Sequence, residues 1–99
     1  MLNINKTAEN GTLTIALEGR LDTVTSPTLE AELKTALADA ESLTFDFAGL
    51  DYISSAGLRV LLSAHKTMSG KGGMKIKNVN EIVGEVFEVT GFADILTIE

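Results

Sequence analysis

The spacing of apolar residues changes abruptly in the middle of the chain, and that change restricts the fold more than any other feature. Leu43, Phe45 and Phe47 recur at every second residue, the period of a strand with one apolar face. The strand is expected over Leu43–Ala48, with Gly49 and Asp51 marking the loop that leaves it. Between Ala56 and Met68, Leu58, Leu61, Leu62 and Met68 then trace a helical stripe. The run Ser69-Gly70-Lys71-Gly72-Gly73 ends that helix, and Met74–Lys77 alternates again as a short strand. A strand, a helix and a second strand in this order form a crossover unit, whose two strands favour parallel pairing in one sheet.

The flanking segments extend the plan. Asn10-Gly11 is a tight-turn pair between Leu2–Asn5 and Thr12–Glu18, which both alternate, so the chain begins as an antiparallel hairpin. Ser26-Pro27 supplies a candidate N-cap with proline at the first helical position, and Leu29, Leu33, Ala36, Leu37 and Ala40 follow at helical spacing. Asn80 is placed to cap a third helix bearing Ile82, Val83, Val86 and Phe87, which Gly91 closes, and a last short strand is expected over Ile95–Ile98. The class is α/β: a mixed sheet of four to five strands with three to four helices packed on it. With 99 residues there is room for one core, so residues 1–99 read as a single domain.

Composition removes several classes of function. The longest apolar runs, such as Val60–Leu62, fall far short of the roughly 20 residues of a membrane span. Met1 is followed by Leu2, Asn3, Ile4, Asn5 and Lys6, which do not form a secretory signal, and the lack of cysteine suits the cytoplasm. A net charge of −6, with eight scattered Lys and Arg residues, opposes binding to nucleic acid and leaves a protein as the expected partner.

The segment Asp51-Tyr52-Ile53-Ser54-Ser55-Ala56-Gly57-Leu58-Arg59 places two serines where the second helix opens. Free backbone N–H groups and the positive end of the helix dipole favour an anionic group there. The plain alternative is that Ser54 and Ser55 only cap the helix. Asp22 is equally well read as a turn former, and Gly57 as close packing beneath a partner or ease of helix entry. Enzymatic readings fail on geometry. His65, the one histidine, lies ten residues beyond Ser55 on the same helix, about 15 Å away, and cannot act as its base. It reads as a partly buried structural histidine. Gly70-Lys71 lacks the remaining positions of a phosphate-binding loop, and the acidic residues show no metal-ligand spacing. No catalytic residue, metal site or cofactor is expected.

The run Ser54-Ser55-Ala56-Gly57-Leu58 resembles the helix-opening signature of STAS domains in anti-sigma factor antagonists, Asp-Ser-Ser-Gly-Leu or Asp-Ser-Thr-Gly-Leu. Gly19-Arg20-Leu21-Asp22 resembles their Gly-x-Leu-Asp element, and the order of elements matches over the whole chain. The chain departs from the signature in Ser54, where the acid often stands, and in Ala56, where the second hydroxyl stands. The resemblance implies a STAS fold and a protein-binding switch rather than an enzyme. It implies that Ser55, with Ser54 as the alternative, is phosphorylated by an anti-sigma factor with serine kinase activity. A PP2C-type phosphatase would reverse the modification. Asp22, Ser54, Ser55, Gly57 and Arg59 are then the partner-binding residues, together with the loop after Leu21 and the loop after Leu50. A STAS domain can also serve a transporter or lipid-trafficking complex as a structural subunit, which is the alternative function.

Overall fold

The computed structural model describes residues 2–99. Asn10 and Gly11 both take positive φ, 52° and 84°, the left-handed pair that a two-residue hairpin requires. They join β1 (Leu2–Glu9) to β2 (Thr12–Leu21) in antiparallel register, with Ile4 opposite Leu17. To β2 are added β3 (Ser42–Ile53), β4 (Met74–Lys77) and β5 (Thr97–Ile98), all parallel, in the spatial order β1-β2-β3-β4-β5. The crossovers are α1 (Ser26–Asp39), α2 (Ser55–Ser69) and α3 (Glu81–Thr90). This is the mixed α/β sheet expected from the apolar periods.

The core lies between the helices and one face of the sheet. Leu13, Ile15 and Leu17 of β2, Leu43, Phe45 and Phe47 of β3, and Met74 and Ile76 of β4 are buried there. They meet Leu29, Leu33 and Leu37 of α1, Leu61 and Met68 of α2, and Val83 and Phe87 of α3. Phe47 sits at the junction, its ring 5.6 Å from that of Phe45 and 6.4 Å from that of Phe87, so α3 is fixed to the central strand through aromatic contact.

Several details differ from the expectation. β1 continues past Asn5 to Glu9, and β2 continues past Glu18 to Leu21. Gly49 and Asp51 do not form an exit loop, because β3 continues to Ile53. Its pairing with β2 shifts register between Ala16 and Glu18 and again between Gly19 and Arg20, with the extra residue on β3 each time. Each bulge moves the buried position by one, from Leu43, Phe45 and Phe47 to Leu50 and then Ile53, which erases the two-residue period that marks a strand. Ser26 is not the N-cap of α1. It is buried as the first helical residue, and its hydroxyl donates to the Asp22 carbonyl. Leu62 lies off the buried stripe of α2, where Val60 and Ala64 are buried instead. The last strand is reduced to Thr97–Ile98, because Gly91 turns the chain into a single 3₁₀ turn over Phe92–Asp94 that buries Leu96.

The glycine-rich run after α2 is structural. A Cβ on Gly72 would lie 2.5 Å from the Glu41 carbonyl oxygen, which accepts the Gly72 N–H at 2.6 Å. This close approach sets Lys71 over the end of α1, where its ammonium donates to the carbonyls of Leu37 and Ala40. A cation at that position satisfies carbonyls that the helix itself leaves open.

Candidate functional site

The site forms where β2 and β3 end side by side. Leu21 is paired with Ile53, and one residue further the Ser54 N–H donates to the Leu21 carbonyl at 2.9 Å. That bond fastens the start of α2 to the loop that follows β2. Ser54 has the extended backbone of an N-cap, and its Oγ accepts the Gly57 N–H at 3.4 Å. The two serines therefore have different positions. Ser54 is half-buried and engaged as the cap, whereas Ser55 is exposed in the first turn. No acidic residue occupies that turn, so the positive end of the helix is not neutralised from within α2.

Gly57 is buried directly beneath this loop. A Cβ there would lie 2.8 Å from Leu21 Cγ and 2.9 Å from Ile53 Cγ1, both buried core side chains. The glycine lets α2 approach the ends of β2 and β3, and so sets the height at which Ser55 emerges. Its close packing is against its own chain rather than at the molecular surface.

Asp22 organises the loop from the other side. Its Oδ1 accepts the N–H groups of Val24 and Thr25, each at 3.0 Å, an Asx-type turn leading into α1. The Asp22 N–H donates to Thr25 Oγ1 at 2.9 Å, and that hydroxyl donates to the Arg20 carbonyl at 2.8 Å. The Thr25 N–H holds the Asp22 carboxyl below its ordinary pKa, with the Thr25 hydroxyl, the Val24 N–H and the Arg20 charge acting in the same direction. The turn leaves Val24 projecting into solvent, 83% exposed. Arg59 is exposed on α2, one helical turn beyond Ser55.

Two further surface features lie beside these residues. The Arg20 guanidinium stacks 4.3 Å from the centre of the Tyr52 ring, and Val24 stands free on the loop. Arg20 and Tyr52 are both visible in the quoted motifs, but they become neighbours only through the β2–β3 register after the two bulges. Among the described residues no group of three or more His, Cys, Asp or Glu side chains could hold a metal ion, and no helix is long and apolar enough to cross a membrane. His65 is half-buried, and its Nδ1 is buried without a hydrogen-bond partner.

Gly57→Ala forces its methyl group against Leu21 and Ile53 and should destabilise the fold by about 1–3 kcal/mol. Gly84→Ala, whose Cβ would meet only Val79 at 3.5 Å, should instead gain stability from helix propensity. Thermal melts of the two variants should move in opposite directions, and a Gly57→Ala melt equal to that of the parent chain would refute the packing argument. For Asp22 the folded-state pKa is lowered, so the stability from its hydrogen bonds is present above its ordinary value and lost as pH falls through the folded value. An NMR titration should give a carboxyl midpoint below 3.8, with the Val24 and Thr25 amide signals moving together with it. A midpoint at or above 3.8 would show that the turn does not hold the charged form.

Comparison with known proteins places this geometry in a family. The model of the STAS domain family matches residues 3–99. BtrV of Bordetella bronchiseptica, a candidate anti-sigma factor antagonist, is 37% identical over 91 residues, covering 90% of this chain and 78% of BtrV. Among solved structures, an anti-sigma factor antagonist from Mycobacterium paratuberculosis has the same fold, with a TM-score of 0.90 at 19% identity over 99% of this chain and 85% of that one. The unphosphorylated form of SpoIIAA, an anti-sigma factor antagonist of Bacillus, gives 0.82 at 20% identity over 100% of this chain and 88% of SpoIIAA. The helix-opening serines, the Gly-x-Leu-Asp turn and the five-stranded sheet thus have one origin: the chain is a STAS domain protein of the anti-sigma factor antagonist family.

Proposed function

We propose that residues 1–99 act as a single-domain cytoplasmic switch, which binds an anti-sigma factor when Ser55 is unmodified and is released from it when Ser55 is phosphorylated. The anti-sigma factor is the serine kinase in this reading, a PP2C-type phosphatase restores the binding form, and the chain itself is a substrate and not an enzyme. The observation that carries the reading is the difference between the two serines. Ser54 is half-buried as the cap of α2, while Ser55 is exposed in an acid-free first turn. The solved forms of SpoIIAA include a phosphorylated one, as expected for a family that uses such a modification.

The physical step is electrostatic. A phosphoserine adds about −1.5 to −2 charges at neutral pH. Within the free domain the α2 dipole partly offsets this charge, and the nearby Asp22 and Asp51 oppose it, both through solvent that screens them. In a complex the same phosphate loses water against groups arranged for a neutral hydroxyl, so the cost falls on binding and leaves the fold intact. Asp22, Ser54 and Gly57 contribute by fixing the shape of the binding surface. Arg59 contributes as an exposed donor on the same helix.

The test is incubation with the cognate anti-sigma factor and ATP, followed by mass spectrometry. Ser55 should gain one phosphate, and Ser55→Ala should abolish the modification while keeping partner binding, with a stability change within about 1 kcal/mol. Full phosphate incorporation into Ser55→Ala, for instance at Ser54, would overturn the assignment. In binding titrations Arg59→Glu should weaken the complex, whereas Lys34→Glu on the exposed side of α1 should not. Equal effects from the two substitutions would place the binding surface elsewhere.

A further inference from the structure

α3 carries a surface that the core uses only in part, through Val86. Val83 and Phe87 are fully buried against the sheet. A step of about 100° around the helix reaches Ile82, Val86 and Val89, which share an adjoining face. On that face Ile82 is 62% exposed, Val89 is 81% exposed and Val86 is half-buried. One more step reaches Glu81, Glu85 and Glu88, all exposed. An isolated exposed apolar residue is ordinary. Here the apolar residues are aligned over two turns and bounded on their free side by acids, the layout of an interface with an apolar centre and a charged rim.

From this layout we infer that the Ile82–Val86–Val89 face is a second contact surface for the same anti-sigma factor, and that the partner meets it with apolar side chains edged by lysine or arginine. The inference rests on the partner-switching reading given above. Continuity with the Ser55 surface supports it. Asn80 caps α3 by accepting the Val83 N–H at 2.8 Å, and its Nδ2 donates to the Leu50 carbonyl at 2.6 Å. The first turn of α3 is thereby tied to the segment of β3 that leads into Ile53 and Ser54, so Ile82 lies toward the Ser55 end of the domain. Ile82 and Val89 are separated by about 10 Å along the helix axis.

Charge selects the occupant. The glutamate edge attracts a basic rim and opposes both anionic membranes and nucleic acid. A second copy of this chain docking through the same face would bring its own glutamates against these, and the net charge of −6 adds to that repulsion.

Calorimetric titration of the unphosphorylated protein with the cognate anti-sigma factor tests the inference. Ile82→Ser combined with Val89→Ser should weaken binding by about tenfold or more, with an unchanged circular dichroism spectrum and thermal melt. Glu85→Lys should also weaken binding, and its effect should shrink as ionic strength rises. Lys34→Glu serves as the control. If the parent chain binds and both α3 variants bind equally well, the α3 surface is refuted while the switch reading stands. If the parent chain does not bind the anti-sigma factor at all, both fall. Dimerisation of the parent chain in sedimentation that the α3 variants lose would assign the face to a second copy and overturn the inference.

Discussion

Everything at the end of the molecule that carries Ser55 depends on the pairing of β2 with β3, which runs from Thr12 beside Ser42 to Leu21 beside Ile53. The pairing is parallel, so the two strands cannot be joined by a tight turn, and α1 must cross the sheet between them. It also lengthens β3 by two bulges, each inserting a residue on that strand alone. Without them, Ile53 would not arrive beside Leu21, and the Ser54 N–H would not meet the Leu21 carbonyl. The position of Ser55 therefore depends on sheet register before it depends on any property of serine.

The local chemistry is built on that register in two layers. Beneath, Leu21 and Ile53 are buried and leave no room for a side chain from the first turn of α2, so that turn carries a glycine at position 57. Above, hydrogen bonds within the loop take the place of packing. Asp22 holds Val24 and Thr25, Thr25 holds Arg20, and Arg20 lies on Tyr52. The result is a surface whose backbone is fixed but whose outermost groups, Val24, Ser55 and Arg59, are exposed. Such a surface suits a charge switch. A phosphate added to it changes the electrostatics of contact with little force on the core.

The same logic separates the two faces of α3. Its inner face is committed to Phe47 through Phe87, and its capping residue is committed to Leu50 through Asn80. Its outer face carries Ile82 and Val89, both exposed, beside the exposed acids Glu81, Glu85 and Glu88. An element that is rigidly attached and chemically distinctive on its free side is well placed to contribute to recognition.

Much of this was legible in the chain itself. The alternation at Leu43, Phe45 and Phe47, the left-handed Asn10-Gly11 turn, the Asn80 cap and the serines opening α2 are local signals, set by side-chain period and by the backbone preferences of single residues. They fixed the α/β class, the element order and the segment that carries Ser55. The sequence could not reveal the continuation of β3 past Ala48, because a bulge is a relation between two strands and destroys the period by which one strand is recognised. Nor could it assign the cap of α2 to Ser54 and the free hydroxyl to Ser55, or show that Gly57 answers to Leu21. Those depend on which backbone groups meet across the sheet. What the sequence determined by itself was which residue types occupy each element. Which of them are buried, which are bonded and which are left exposed was decided only when long-range pairing set the register.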